Sequence, residues 1–302
     1  MRLVTFAGPD GTTLRLGLRV DGGILDVAAA AEVLGHQPGP FDPMTVIRRG
    51  PDGLAMVQAV AAATGAGAQL LDPGRLRLGP CVPAPGKIVG VGLNYRRHAE
   101  EANVPVPDSP VLFAKYGNAL AGPDEAVSIP ADARQVDYEV ELAVVIGRLA
   151  RRVPVDSAMS HVLGYATAND LSARDLQFRT GQWLLGKSLD GFLPLGPDLV
   201  SVDEIPDPGC LRLRAWVNGD PRQDASTADM LAPVDRLVSY ISEYITLEAG
   251  DVILTGTPEG VIFGHPDPVW IRPGDCVEVE VEGLGRQTTT FVDGAAGPGV
   301  PR

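Results

Sequence analysis

The sequence contains few cysteines, their number is odd, and they lie far apart. Cys81, Cys210 and Cys276 form no Cys-x-x-Cys pair and have no histidine spacing that suits zinc. We therefore expect a reduced, cytoplasmic setting in which the three thiols are packing residues. The N-terminal segment has one arginine and a short apolar run ending at Gly-Pro, which is too brief for the core of a signal peptide.

Basic residues are scarce relative to acidic ones. Lysine and arginine number 25 against 38 aspartates and glutamates, which gives a formal net charge of −13 at pH 7. Such a surface repels phosphate backbones and anionic lipid, so we expect no nucleic-acid partner and no membrane. A long apolar run is also missing. The longest, 54–71, is interrupted by glutamine, threonine and glycine, and it predicts a soluble helix that ends near Gly65.

Hydrophobic residues make up 45% of the 302, enough for a sizeable core, and their pattern predicts two parts. Residues 1–82 are predicted to form a small N-terminal α/β domain, with strands near 3–7, 13–20 and 24–27 and helices over 28–34 and 54–64. Residues 83–293 are predicted to form a β-rich catalytic domain with helices only near 96–102, 172–181 and 234–244. Residues 294–302 are predicted to be a flexible tail. The predicted fold class is α+β and β-rich.

Two glutamates lie within an apolar predicted strand, QVDYEVELAVVIG, at 135–147. Because side chains alternate along a strand, Glu139 and Glu141 share one face. Beyond Glu141 that face continues with Ala143 and Val145, so both faces become apolar, as in a buried strand. The two carboxylates are therefore predicted to lie close to the core.

Glutamates that alternate with valine are not by themselves informative. The stretch CVEVEVEG at 276–283 has the same alternation and is interpreted as an ordinary amphipathic strand. Near a low-dielectric interior, however, Glu139 and Glu141 either shift their pKa values, pair with cations or share a metal ion. Asp170 is the candidate third ligand, although a helix N-cap is the alternative role. Three carboxylates suit Mg²⁺, Mn²⁺ or Ca²⁺ rather than zinc.

Four stretches in order along the chain resemble one known family. They are VGLNYRRHAEE (91–101), DYEVELAVVIG (137–147), ANDLSARDLQFRTGQWLLGKSLDGFLPLGP (168–197) and LEAGDVILTGTPEGV (247–261). In these four stretches the sequence resembles the two-part bacterial members of the fumarylacetoacetate hydrolase family. The resemblance implies a mixed β-sandwich roll, a divalent metal, usually Mg²⁺, and a homodimer. It places the metal ligands of the family on Glu139, Glu141 and Asp170.

His98 and Glu101 lie three residues apart in a predicted helix, so they share a face and can form a hydrogen bond. From the residues alone an exposed histidine on a polar helix is the simpler interpretation. The resemblance implies instead that His98, oriented by Glu101, is a general base acting on water. It also makes Lys187 a stabiliser of negative charge on the substrate oxygen. Residues 96–110 are a candidate mobile lid.

Further residues are candidates for substrate contact. Thr257, in the predicted turn TGTPEGV, offers a hydroxyl and backbone N–H groups to a carboxylate, with a plain hairpin loop as the alternative. Lesser candidates are Tyr95, Gln177 and Arg179, whereas Arg174 and Asp175 are assigned structural roles. Gly90 and Gly92 in VGVGLNY resemble a phosphate loop, but the third glycine and a βαβ setting are missing, so we reject that interpretation.

The resemblance implies a Mg²⁺-dependent hydrolase that cleaves a carbon–carbon bond in an acylpyruvate or related 1,3-diketo or 2-oxo acid through a metal-bound enolate. Decarboxylation of oxaloacetate-like acids, and isomerisation or hydration of 2-hydroxy-dienoate and 2-oxo-enoate acids, are alternatives on the same site. A catalytically silent relative that binds a metabolite is the alternative from another class. Changes after Lys115 and at Leu189, relative to the family pattern, put the substrate selectivity in doubt.

Overall fold

The computed structural model describes residues 1–37, 39–65 and 69–294. Within them strand exceeds helix, and the strands form two large sheets and two short two-stranded ones. This confirms the predicted α+β, β-rich fold class. Except for its first residue, the predicted tail at 294–302 lies outside the described residues.

Most of the helices are short. The α-helices α1 to α8 are Val27–Val33, Pro43–Arg48, Pro51–Thr64, Arg96–Glu101, Val155–Ala158, Arg174–Gln177, Leu184–Lys187 and Val234–Tyr244. Short 3-10 turns cover Gly39–Phe41, Pro73–Arg75, Gly117–Ala119, Met159–His161, Pro208–Cys210 and Thr227–Asp229. In the part of the chain that the structure describes, no helix has the length and apolar content needed to cross a membrane.

The strands are numbered β1 to β19 along the chain. They are Arg2–Ala7, Leu14–Val20, Gly23–Asp26, Leu78–Gly79, Ile88–Gly92, Val111–Lys115, Leu120–Ala121, Val127–Ile129, Val136–Asp137, Val140–Ile146, Val162–Asn169, Ser172–Ala173, Leu193–Pro194, Leu199–Ser201, Arg212–Val217, Asp220–Ser226, Val252–Leu254, Cys276–Val281 and Gly285–Asp293. The ten-stranded sheet has the order β3-β2-β1-β14-β11-β10-β17-β5-β6, with β4 paired to β1. The five-stranded sheet has the order β16-β15-β18-β19-β8.

Local sequence signals account for the N-terminal helices. Asp26 caps α1 by accepting a hydrogen bond from the N–H of Ala29, and Asp42 caps α2 in the same way from Thr45. Helix α3 begins at Pro51, three residues before the predicted start, and ends at Thr64 with Gly65 as its C-cap, which confirms the predicted end. The sequence analysis did not include α2, which is only six residues long.

The N-terminal strands join the same sheet as the rest of the chain. Strand β1 pairs antiparallel with β14, which in turn pairs with β11, so the sheet crosses the predicted boundary at residue 82. The predicted boundary therefore does not coincide with a sheet edge. The division into 1–82 and 83–293 remains a prediction.

Strand β10 is buried on both faces, as predicted. Leu142 belongs to a core shared with Val279 of the five-stranded sheet. Ala143 and Val145 belong to a second core, shared with Val46 of α2 and with α3. The N-terminal helices therefore cover the apolar continuation of the face that carries the two glutamates, which explains why that face does not stay polar.

Two predicted elements are wrong in their extent. The predicted strand at 135–147 is broken after Asp137, where the chain forms β9 and pairs with β12 instead of continuing into β10. The predicted helix at 172–181 is likewise replaced by β12 and the short α6, because Ser172 and Ala173 use their backbone groups in pairing with β9. The predicted helices near 96–102 and 234–244 are confirmed as α4 and α8.

We predict that Gly50→Ala lowers the free energy of unfolding by about 2 kcal/mol or more. Gly50 precedes α3 with φ 57°, and a Cβ there would lie 2.0 Å from the carbonyl oxygen of Gly147, just after β10. The matched control is Gly65→Ala at the other end of α3, where φ is 63° and no atom of the non-adjacent residues that the structure describes lies within 4 Å of the added carbon. Urea unfolding measures both. Equal losses would show that backbone strain alone, and not the contact with Gly147, is responsible.

Candidate metal centre and active site

The antiparallel pairing of β10 with β11 brings three carboxylates together. Val140 lies opposite Asn169, so the start of β10 is adjacent to the end of β11. Glu139 precedes β10 and Asp170 follows β11, and the N–H of Asp170 donates to the carbonyl of Glu139 at 2.9 Å. One carboxylate oxygen from each of Glu139, Glu141 and Asp170 lies within 4.8 Å of the other two, and all three residues are buried.

Two buried lysines contact this group. The ammonium of Lys187 lies 2.6 Å from Oε2 of Glu139 and 2.7 Å from Oδ2 of Asp170. The ammonium of Lys115 lies 2.6 Å from the other oxygen of Asp170. Burial lowers the pKa of Lys115. Burial opposes the charge of Lys187 as well, but Asp170 and Glu139 outweigh it and raise the pKa of that lysine.

Arg174 is the third buried cation of the group, although the sequence analysis assigned it a structural role. Its Nη2 donates to Glu139 at 2.6 Å, and its Nε and Nη2 donate to Asp137 at 2.9 and 2.8 Å. Asp137 in turn accepts hydrogen bonds from the backbone N–H groups of 262 and 263. Burial opposes ionisation of Glu139, but Lys187 and then Arg174 outweigh it and lower its pKa.

Glu141 is the carboxylate without a cation. Asp137, Glu139 and Asp170 each form an ion pair, whereas Glu141 has no ion-pair partner among residues 1–37, 39–65 and 69–294. It accepts one hydrogen bond, from the N–H of Gly256 at 2.7 Å. Burial raises its pKa well above the usual value, and the charges of Asp170 and Glu139 raise it further. Four buried carboxyl groups thus face three buried cations, and Glu141 is the one that has no cationic partner among the described residues.

The three carboxylates fit a divalent cation. All donors are oxygens, which suits Mg²⁺, Mn²⁺ or Ca²⁺ and not zinc. One oxygen of each carboxylate lies within 4.8 Å of the other two, so Glu139, Glu141 and Asp170 could bind a common cation. A cation bound there would neutralise the excess charge at Glu141, which is otherwise costly to bury.

His98 and Glu101 lie on α4, next to the carboxylates. His98 lines the same cavity as Glu139 and Glu141, and its Nδ1 lies 3.5 Å from Oε2 of Glu101. The predicted hydrogen bond between the two is not formed, since Nδ1 has no partner among the described residues. The carboxylate of Glu101 instead accepts the N–H of Gly260 at 3.0 Å, which attaches α4 to the loop before Phe263.

Thr257 also lines the cavity, and its hydroxyl is held on both sides. It donates to the carbonyl of Val140 at 2.9 Å and accepts a hydrogen bond from Nε2 of Gln223 at 2.9 Å. Gln223 comes from the five-stranded sheet and also accepts the N–H of Val140 at 3.0 Å. One buried amide therefore ties the Thr257 loop to the strand that carries the glutamates.

The other residues predicted to contact substrate, Gln177, Tyr95 and Arg179, lie in different environments. Gln177 lines the cavity and accepts a hydrogen bond from Arg174 at 3.0 Å. Tyr95 is fully buried and its hydroxyl has no hydrogen-bond partner in the described part of the chain. Burial raises the pKa of Tyr95, and the charge of Glu141 adds to this effect. Arg179 is exposed and lies outside the lining of the cavity, so its contact with substrate remains a prediction.

Sequence reasoning missed Lys115, Arg174 and Gln223. Lys115 had a usable signal, because a lysine that ends the apolar stretch VLFAK is rarely buried unless it is paired. The position of Gln223 depends on how the two large sheets pack, and no local pattern contains that information.

The residue range 87–292 matches the family model of the fumarylacetoacetate (FAA) hydrolase C-terminal domain. Among curated proteins, the mitochondrial oxaloacetate tautomerase FAHD2A of Bos taurus is 40% identical over 289 residues, covering 94% of this chain and 90% of its own. The Homo sapiens protein of the same name is 39% identical over 289 residues, with the same coverage of 94% and 90%.

Solved structures of hydrolases also superpose on this chain. A fumarylacetoacetate hydrolase from Exiguobacterium antarcticum superposes with a TM-score of 0.82 at 34% identity, covering 97% of this chain and 99% of that one. Maleylpyruvate hydrolase from Sphingobium sp. SYK-6, solved with manganese(II) and pyruvate, gives a TM-score of 0.78 at 32% identity, covering 97% and 100%. The motifs, the fold and the full-length similarity agree, and the chain belongs to the fumarylacetoacetate hydrolase family.

Proposed function

We propose that this protein is a divalent-cation-dependent enzyme that hydrolyses a carbon–carbon bond in an acylpyruvate or a related 1,3-diketo or 2-oxo acid. The observation that carries the proposal is the uncompensated buried charge of Glu141, beside Glu139 and Asp170, in a cavity that also holds His98. Mg²⁺ is the proposed cation, with Mn²⁺ and Ca²⁺ as alternatives. The manganese(II) and pyruvate named for the Sphingobium hydrolase support a divalent cation and a 2-oxo acid.

The residues of the chain divide the chemistry between them. A bound divalent cation would polarise the 2-oxo group and stabilise negative charge on its oxygen. Arg174 keeps Glu139 ionised and oriented, because it donates to it at 2.6 Å. The ammonium of Lys187, 2.6 Å from the same carboxylate, provides a second positive charge close to the developing negative charge. Thr257 and its loop are proposed to hold the substrate carboxylate.

His98 is proposed to remove a proton from water. With Glu101 next to Nδ1, Nε2 is the ring nitrogen that remains to accept this proton. The water oxygen forms a bond to the distal carbonyl carbon, and the adjacent carbon–carbon bond breaks. Its electron pair stays on the carbon next to the 2-oxo group as an enolate. Return of a proton to that carbon gives pyruvate, and the acyl group leaves as a carboxylic acid.

Keto–enol tautomerisation of oxaloacetate is a second candidate, because two relatives at 40% and 39% identity that cover 94% of this chain carry that name. It requires a proton to leave and return at carbon 3 without attack by water. Decarboxylation of oxaloacetate-like acids and isomerisation of dienoates need the same charge stabilisation.

A catalytically silent role is less consistent with a complete set of carboxylates and a cavity histidine. The homodimer and the cytoplasmic location remain predictions.

We predict that the purified protein with Mg²⁺ converts an acylpyruvate to pyruvate, and that a chelator lowers this rate by at least about 100-fold. Loss of the diketo absorbance and formation of pyruvate measure the reaction, and oxaloacetate tautomerisation is followed in parallel. Activity that survives chelation would exclude the cation mechanism. If oxaloacetate is tautomerised with a much higher kcat/KM than any acylpyruvate is hydrolysed, the second candidate replaces the first.

The control for the base is His98→Ala. We expect hydrolysis to fall by about 100-fold or more, because the proton of water then has no acceptor. Mg²⁺ affinity, measured by calorimetry, should stay unchanged because His98 is not a proposed ligand. A variant that keeps full hydrolysis would show that another group activates the water.

We predict that Glu141→Gln and Glu139→Gln change the stability of the metal-free protein in opposite directions. Glu141→Gln keeps an acceptor for Gly256 but removes an unpaired charge, so it should stabilise by about 1–3 kcal/mol at neutral pH. Glu139→Gln removes the charged hydrogen bonds that Glu139 accepts from Arg174 and Lys187 and should destabilise. Thermal unfolding with and without Mg²⁺ measures both effects.

The pH dependence has a definite sign. Folding raises the pKa of Glu141, so the folded protein binds the proton of this carboxyl group more tightly than the unfolded chain does. The resulting stabilisation is fully present below about pH 4.5 and is lost as the pH rises through the higher pKa of the folded state. Wild-type protein should therefore lose stability over that range relative to Glu141→Gln, and Mg²⁺ should restore it in the wild type alone. Equal destabilisation by both glutamine substitutions would contradict the charge imbalance.

A further inference from the structure

Two aromatic pairs form much of the wall of the cavity. The rings of Phe113 and Trp183 have centroids 5.5 Å apart at an interplanar angle of 54°, and those of Phe178 and Phe263 are 5.0 Å apart at 33°. All four line the same cavity as the carboxylates. Phe178 and Phe263 are 47% and 38% exposed, so this pair lies at the solvent side, where a ligand can cover it.

The Phe113–Trp183 pair occupies space provided by the two glycines of β5. A Cβ at Gly90 would lie 2.2 Å from the ring of Phe113, and a Cβ at Gly92 would lie 2.6 Å from the ring of Trp183. Any larger residue at either position would displace a ring. The glycines that resembled a phosphate loop in the sequence therefore serve to seat an aromatic wall.

The cations of the cavity are already used. Lys187 and Arg174 bind the buried carboxylates, and each also lies against an aromatic face, at 4.8 Å from the centroid of Phe113 and 5.4 Å from that of Phe263. Among the described residues that line the cavity, no other lysine or arginine is present. A second carboxylate on the substrate would thus find no unpaired lysine or arginine among these lining residues and would lose its hydration against aromatic side chains.

We infer that the site selects 2-oxo acids whose far end is an apolar or aromatic group and discriminates against those that carry a second carboxylate. The inference rests on the proposed function, since it assumes that the 2-oxo carboxylate end of the ligand binds at the three carboxylates. The far end of the ligand then lies along Phe113 and Trp183 and reaches Phe178 and Phe263. An acylpyruvate with a hydrocarbon or aryl acyl group has this shape.

The test uses three unreactive ligands with the same head group. Oxamate has no extension, N-phenyloxamate carries an aromatic ring, and N-oxalylglycine carries a second carboxylate; none has an acidic carbon. Calorimetric titration of the Mg²⁺-containing protein gives each Kd without relying on turnover. We expect N-phenyloxamate to bind at least about tenfold more tightly than oxamate and than N-oxalylglycine.

Three variants identify the contacts. Phe178→Ala should weaken N-phenyloxamate about fivefold to tenfold and leave oxamate within about twofold. The matched control is Tyr244→Ala, which removes the exposed ring of the Tyr240–Tyr244 aromatic pair. Tyr244 is outside the cavity lining, so this change should alter neither Kd. Arg179→Ala tests whether this candidate contact residue, next to Phe178 in the sequence, holds a second carboxylate; if it does, N-oxalylglycine binds more weakly to the variant.

The outcomes separate this inference from the proposed function. If oxamate binds but N-oxalylglycine binds as tightly as N-phenyloxamate or more tightly, the selectivity inference is wrong while the 2-oxo acid site stands. A loss of N-oxalylglycine affinity in Arg179→Ala would overturn it in the same way. If oxamate does not bind, the proposed function fails and the inference fails with it.

Discussion

The structure depends on the burial of one more carboxylate than it has cations to pair with. Lys115, Lys187 and Arg174 match three of the four carboxylates, and Glu141 is left with a single backbone hydrogen bond. Unpaired buried charge costs several kcal/mol, so a fold that keeps this arrangement has a use for the excess negative charge. A divalent cation is the simplest group that would neutralise it, and His98, Lys187 and Thr257 line the same cavity.

The N-terminal segment contributes to this arrangement without supplying a residue to the cavity lining. Residues of its helices α2 and α3 belong to the same hydrophobic core as Ala143 and Val145 of β10. Burial raises the pKa of Glu141, so ionisation of this carboxyl group is costly unless a cation binds to it. The two predicted domains are therefore coupled, through the shared sheet and through the second core.

Much of the site was predictable from the sequence, because the relevant signals are local. Alternation along β10 indicated the shared face of Glu139 and Glu141, and the spacing of three residues placed His98 next to Glu101. Asp170 required the resemblance, since only the pairing of β10 with β11 makes it a neighbour of Glu139. The ion pairs of Arg174 with Asp137 and Glu139 were not predicted, because Asp137 was expected to continue β10 and belongs to β9. Gln223 and the aromatic wall depend on packing between distant segments, which no short pattern records.

The most direct test of the cation site is an anomalous difference map from crystals grown with Mn²⁺. The structure predicts a peak about 2.0–2.4 Å from oxygens of Glu139, Glu141 and Asp170. The ammonium of Lys187 should move away from at least one of its two carboxylates to admit the ion. No peak at this position, with Lys187 still bridging Glu139 and Asp170, would contradict the account, because the excess charge of Glu141 would then have no role in binding a metal.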